Sequence, residues 1–249
     1  MYEQAKVMIA LLDGDIYTYR VGYTTEQETL DVALWRLDEM VQSTLDEIDT
    51  SEYKMYLTDS ENNFRRKIYP EYHANRKQPK PKWYSELQEH LIVNWKAEIA
   101  HGQEADDALG IEQTLNHQRY MWTGDRPVSI ICSIDKDLKQ VPGAHYNFVK
   151  KQESHVTKQE GLKYFYTQLL TGDVVDGIKG VEGIGVVKAE KILMACETEE
   201  SLFDAVAKTY EQKYLENGWV LMSLYGKLLK IRQIKDEVWQ IPKVDIELL

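Results

Sequence analysis

Three apolar runs, each stopped by an aspartate, constrain what this chain can become. Val7-Met-Ile-Ala-Leu-Leu12 meets Asp13-Gly14-Asp15, Tyr53-Lys-Met-Tyr-Leu-Thr58 meets Asp59, and Val128-Ser-Ile-Ile-Cys-Ser-Ile134 meets Asp135-Lys136-Asp137. A continuous apolar run closed by a turn signal reads as a strand buried on both faces, as in parallel sheets. Between the first two, Thr29 to Glu47 places Leu30, Leu34, Leu37, Val41 and Leu45 on one helical face. Ser85 to Ile99 and Glu104 to Leu115 read as helices before the third run. Strands alternating with helices predict an α/β fold around a parallel sheet. Its functional crevice lies at the carboxyl ends of the strands, where each run delivers an aspartate.

A single strand-end aspartate is an ordinary turn or helix-cap residue. Three of them, two followed by another acid two positions on, gather carboxylates at a cost that cations must offset. Glu104-Ala-Asp106-Asp107 adds acids at a helix start, with Glu104 and Asp107 on one face and Asp106 to one side. In Asp173-Val-Val-Asp176 the two acids again share a face. All are oxygen donors outside any Cys/His constellation, which selects hard ions, Mg²⁺ or Mn²⁺, over zinc. Asp15 reads as a solvated turn acid.

The net charge of −11 argues against a nucleic-acid partner until its distribution is read. Residues 1–64 carry 14 acids and 4 bases, whereas 65–82 carry seven bases and one acid. That stretch interleaves Arg65, Arg66, Lys67, Arg76, Lys77, Lys80 and Lys82 with Tyr69, Tyr72, Trp83 and Tyr84. Bases for phosphates and rings for unpaired bases suit single-stranded nucleic acid. Pro79 and Pro81 predict that the segment starts as extended chain. Gly183-Ile184-Gly185 precedes a helix over Val186–Ala195, where backbone N–H groups can approach a phosphate. The tail from Ser201 to Leu249 patterns as helix, with Leu202, Phe203, Val206, Leu215, Leu221, Leu224 and Leu228 apolar and its aromatics, Trp219 and Trp239 among them, in the core. The longest apolar run is six residues, no signal-peptide stretch opens the chain, and two cysteines make neither a zinc site nor a disulfide scaffold. Membrane, secreted and disordered classes are excluded on this reading, leaving a reduced cytoplasmic setting.

The ordered motifs resemble the flap endonuclease/5′-nuclease family, which includes bacteriophage 5′-exonucleases and the N-terminal domain of bacterial DNA polymerase I. The resemblance runs from Leu12 to about Leu193, through Leu12-Asp13-Gly14, Asp59 with Phe64-Arg65, Tyr69 to Arg76, Gly102 to Asp107, Ser133 to Leu138, and Gly172 to Gly185. It implies a PIN-like core over 1–152 with a short helical arch at about 65–100. A helical C-terminal region, 153–249, would carry a helix-hairpin-helix element at about 172–195. Asp13, Asp59, Glu104 and Asp106 would hold one metal; Asp106 or Asp107 with Asp135, Asp137, Asp173 and Asp176 would hold the second. Where the family has a lysine on the scissile phosphate this chain has His73, with Arg76 or Lys77 left to carry that role. Arg65, Arg66, Lys67, Tyr72, Arg76, Lys80 and Lys82 would bind DNA near the arch, and Gly183, Gly185 and Lys188 would grip duplex at a hairpin that in the family commonly binds K⁺.

The implied activity is Mg²⁺-dependent, structure-selective 5′-nuclease cleavage of DNA flaps, nicks, single-stranded 5′ ends or RNA–DNA primers. The expected protein is a free-standing monomer in bacterial cytoplasm, phage-encoded, with a replication polymerase or single-strand-binding protein as partners. A PIN-type ribonuclease and a catalytically impaired junction-binding protein are the alternatives.

Overall fold

The computed structural model describes residues 8–75, 78–123 and 128–242. In chain order its elements are β1 (Ile9–Asp13), α1 (Gly14–Thr24), α2 (Leu30–Glu47), β2 (Tyr53–Thr58), α3 (Phe64–Ile68), α4 (Tyr84–Asn94), β3 (Glu98–Ala100), α5 (Ala105–Thr123), β4 (Ser129–Cys132), β5 (Gly143–Asn147), β6 (Gln152–Val156), α6 (Lys158–Thr171), α7 (Val186–Leu193), α8 (Glu199–Tyr214) and α9 (Asn217–Leu229). The sheet order is β3-β2-β1-β4-β5-β6, parallel except for the antiparallel edge strand β6.

Alternate residues of the central strands feed two cores, which is why the runs are continuously apolar. Ala10, Leu12, Met55, Leu57, Ile130 and Cys132 pack with Tyr17 and Val21 of α1, Leu37 and Val41 of α2, and Leu87 and Leu91 of α4. Leu11, Tyr56 and Ile131 face the other way, onto Ala108 and Leu109 of α5 and onto Ile231. A third core joins α6 to α9 through Phe165, Leu169, Leu193, Phe203, Val206 and Met222. The α/β expectation holds. The sheet continues to Val156, so the expected boundary after residue 152 falls inside β6.

Several expectations are corrected. The helix expected to reach Ile99 stops at Asn94: Lys96 has φ +53°, and Glu98–Ala100 then pairs with β2. α4 packs in the sheet core rather than forming an arch, and among the described residues from Tyr69 to Trp83 none is helical. Pro70, Pro79 and Pro81 there cannot donate the bonds a helix needs. Among the described residues the tail is helical only to Leu229; Lys230 to Pro242 runs as turns and irregular chain, and 243–249 lie outside the described residues. Leu215, one of the apolar residues of that helical pattern, is 73% exposed and ends α8 at φ +55°.

The loop between α6 and α7 is held by two glycines packed back to back. Gly172 (φ +69°) ends α6, and a Cβ on it would lie 2.2 Å from the Ile178 carbonyl oxygen. Gly180 (φ +62°) approaches so closely that its own Cβ would fall 2.3 Å from the Gly172 nitrogen. This contact and the Asp173↔Ile178 bridge fix the turn that carries Asp173 and Asp176. Gly183 shares the positive φ (+80°) but has nothing within 4 Å of a Cβ. Urea denaturation is expected to show Gly183→Ala costing about 1–2 kcal/mol, from the left-handed backbone alone. Gly180→Ala should cost clearly more, because strain and backbone collision add; equal losses would contradict the packing.

Candidate active site

β1 lies between β2 and β4, so its carboxyl end meets the ends of both neighbours. Asp13 closes β1 and caps α1 through its Oδ1, which accepts from the Ile16 N–H at 3.3 Å. Its Oδ2 accepts from Ser133 Oγ at 2.7 Å, and Ser133 Oγ accepts from the Asp135 N–H at 3.0 Å. Ser133 thus ties the acids of β1 and of the β4 end together. Asp135 Oδ1 accepts from the Asp137 N–H, placing Asp137 at the start of a single 3₁₀ turn, Asp137–Gln140. Glu104 and Asp106 enter from the start of α5, and Asp173 and Asp176 from the glycine-braced turn. One carboxylate oxygen each of Asp137, Asp173 and Asp176 lies within 4.8 Å of the others.

Asp13, Asp15, Glu104, Asp106, Asp135, Asp137 and Asp176 line one cavity of about 360 Å³. Its electrostatics are strained. Burial, then Asp15 and Asp135, push the Asp13 carboxyl up to about 7. Burial, then Asp135, push Asp137 to about 7. Asp106 is raised well above the carboxylate range by burial and by Asp135, Asp13 and Glu104. Lys136 offsets part of this charge, its Nζ 3.0 Å from Asp173 Oδ2 and 3.8 Å from Asp137 Oδ1. Convergent oxygen donors whose charge is this poorly balanced fit divalent cations.

His73 stands between the two halves of the cluster, in the left-handed region at φ +65° and stacked on Tyr72 at 3.8 Å. Its Nε2 lies 3.1 Å from Asp176 Oδ1 and 3.6 Å from Glu104 Oε1. Tyr72 is buried, its hydroxyl 3.2 Å from Glu104 Oε2. It supports the acids instead of offering an exposed ring to DNA.

Three expected residues have other work. Asp107, expected at a metal, is fully buried, and both its oxygens are taken by Arg65, the Glu104 N–H and the Arg232 N–H. Although burial opposes it, Arg65 holds that carboxyl below its ordinary value. Arg65, expected on DNA, is 2% exposed. It donates to Asp107 and to the Leu228 and Lys230 carbonyls, and pairs with Glu104 at 3.1 Å. Asp59 accepts at Oδ1 from the N–H groups of Glu61 and Asn62 and from Asn62 Nδ2, and at Oδ2 from the Gly102 N–H; the backbone bonds lower its pKa. It braces the loops after β2 and β3. Asp15, in contrast, is no solvated turn acid: it accepts from the Thr58 N–H and from Gln88 and lines the cavity.

Arg66 and Lys67 are exposed, and Arg66 and Lys80 line the cavity, with Lys80 Nζ 4.1 Å from the Tyr84 ring centroid. Lys82 covers Trp83 at 4.0 Å. Arg76 and Lys77 lie outside the described residues. Lys188 donates to the Gly183 carbonyl at 2.8 Å beside Gly185, the N-cap of α7. Sequence reasoning missed Ser133, Gln168 and the 228–231 segment, whose Leu228, Leu229 and Ile231 wall the cavity.

Residues 8–167 match the 5′-3′ exonuclease, N-terminal resolvase-like domain. The chain belongs to this 5′-3′ exonuclease family, a family of hydrolytic, divalent-metal-dependent nucleases. It is 25% identical over 222 residues to a 5′-3′ exonuclease of Buchnera aphidicola subsp. Schizaphis graminum, covering 82% of this chain and 75% of the relative. It is 27% identical over 184 residues to the flap endonuclease Xni of Shewanella sp. (strain W3-18-1), covering 68% of each. The fold matches the T5 D15 protein co-crystallised with metal ions at TM-score 0.63, 17% identity and 89% of both chains. It also matches the bacteriophage T5 D15 flap endonuclease complexed with DNA and metal ions, at TM-score 0.56, 16% identity, 89% of this chain and 94% of that one.

Two outcomes test this site. Arg65→Ala strands a buried Asp107 carboxylate and should lower stability by about 3–5 kcal/mol in urea denaturation; a loss under about 1 kcal/mol would contradict the buried pair. Asp13 and Asp137 titrate near 7 folded against an ordinary value of 3.8. Between those values the folded chain holds more protons than the unfolded one, so their contribution to stability falls as pH rises. Metal-free protein is therefore expected to show a higher Tm at pH 5.5 than at pH 8, with Asp137→Asn shrinking the difference. Divalent ions should raise Tm more at pH 8. A metal-free Tm that climbs over this range and is untouched by Asp137→Asn would contradict it.

Proposed function

We propose that this protein is a Mg²⁺-dependent, structure-selective 5′-nuclease that hydrolyses the phosphodiester backbone of DNA at 5′ flaps, nicks and single-stranded 5′ ends. The observation that carries the reading is the convergence of acids from β1, the β4 end, α5 and the α6–α7 turn on one cavity, with carboxyls raised to about 7. Asp13, Glu104, Asp106 and Asp135 form one group of ligands, and Asp137, Asp173 and Asp176 the other. Bound Mg²⁺ would supply a water of lowered pKa and offset charge on the scissile phosphate. Mn²⁺ suits the same donors.

The chain's own side chains do the positioning. Arg66 and Lys80, at the cavity, neutralise phosphates of the entering strand. The Arg65 pair holds Glu104 in place, and His73 lies between Glu104 and Asp176. Leu228, Leu229 and Ile231 add apolar lining to the same cavity. At the hairpin, the exposed Gly183 and Gly185 admit a duplex phosphate beside Lys188. The Lys188 ammonium already occupies the Gly183 carbonyl, so it, rather than K⁺, supplies positive charge there.

The test is cleavage of a 5′-labelled flap duplex and a matched single strand in Mg²⁺ and in EDTA. Metal-dependent cutting near the flap junction is expected, and Asp135→Asn/Asp137→Asn should lose it by a factor of about 10³ or more, since several kcal/mol of transition-state stabilisation go with the metals. Tight flap binding with no cleavage in Mg²⁺ or Mn²⁺ would favour the junction-binding alternative.

A further inference from the structure

Asp137 is oriented by a chain of buried amides that ends on the backbone after α9. Gln168 of α6, 6% exposed, places Nε2 2.8 Å from Asp137 Oδ1. Gln140, 1% exposed, places Nε2 2.7 Å from Gln168 Oε1 and 2.7 Å from the Leu229 carbonyl oxygen. Its Oε1 lies 3.1 Å from the Ile231 nitrogen. Both amide orientations follow from these contacts. A backbone N–H only donates and a backbone carbonyl only accepts, so Gln140 must turn Oε1 to Ile231 and Nε2 to Leu229. The second N–H of Gln140 then meets Gln168 as a donor, Gln168 must accept with Oε1, and its own NH₂ is left facing Asp137. The chain has one polarity, and the protein backbone sets it.

We infer that Gln168 and Gln140 are positioning residues for the metal site: they aim the Asp137 carboxylate from the fixed backbone of residues 229–231. This rests on the metal-dependent reading above. A neutral amide suits the task because it directs one oxygen of the carboxylate without cancelling the charge a cation needs. The lysine next door, Lys136, pairs mainly with Asp173. Tyr164 is the other neutral group at the same oxygen, its hydroxyl at 3.5 Å, too long to fix it.

The test is Mn²⁺ titration of the full chain by calorimetry, with metal-free melting as a fold control. Its variants are Gln168→Met, Gln140→Met, Asp137→Asn and the double Gln168→Met/Asp137→Asn. Methionine keeps the shape of glutamine and removes the hydrogen bonds. Gln168→Met is expected to weaken Mn²⁺ binding roughly 10- to 100-fold, the range for partners that orient a metal ligand. Gln140→Met should weaken it in the same direction by less, and it carries the test if Gln168→Met does not fold. In the Asp137→Asn background the Gln168 effect should vanish, which a general structural role would not produce. Unchanged Mn²⁺ affinity in both methionine variants, or a Gln168 effect undiminished without Asp137, overturns the inference. If Asp137→Asn itself leaves Mn²⁺ binding intact, the metal reading falls first and this one with it.

Discussion

Repulsion among carboxylates is the constraint around which this molecule is arranged. Seven acids line one cavity at the edge of a sheet whose interior is apolar. Folding brings them there only because the strands are stabilised by burial on both faces, which supplies enough free energy to hold like charges together. Where partners within the chain take both oxygens of a buried acid, that acid is removed from the chemistry. Asp107, matched by Arg65, becomes a rivet, and Asp59, held by the amides around it, becomes a loop brace. Where the charge is left unbalanced, the pKa rises, and the acid is available to a metal ion.

That division explains what could be read from the chain and what could not. The three strand-end aspartates announce themselves because a buried strand leaves a period-free apolar run, and the run ends where the edge begins. Composition gives no such signal for Asp106 against Asp107. They are neighbours at a helix start, and only the Arg65 guanidinium, 42 residues before Asp107, decides which faces the cavity. Arg65 itself sits in a basic, aromatic stretch that reads as a DNA surface, yet its side chain turns inward while Arg66 points out.

Other features left local traces that went unused. Thr157 and Glu160 form a reciprocal capping box at the start of α6, and Thr-x-x-Glu is a helix-start pattern in sequence. β3 is only three residues long and its pairing depends on β2, so no local pattern could distinguish it from the end of α4. The 228–231 backbone contributes through carbonyl and amide groups, which are identical in every residue and therefore invisible to any reading of side chains.

The route of those four residues has a consequence for how the molecule can be divided. Asp13, Glu104, Asp106, Asp135 and Asp137 all fall within the span 8–167 that matches the family, but Asp173, Asp176, Gln168 and the backbone partners of Arg65 and Gln140 come later in the chain. A fragment with the boundaries of the matched region would keep the sheet and lose two of the seven proposed ligands together with the strut that aims another. The cavity is a joint between two cores, and neither half of the chain contains an active site of its own.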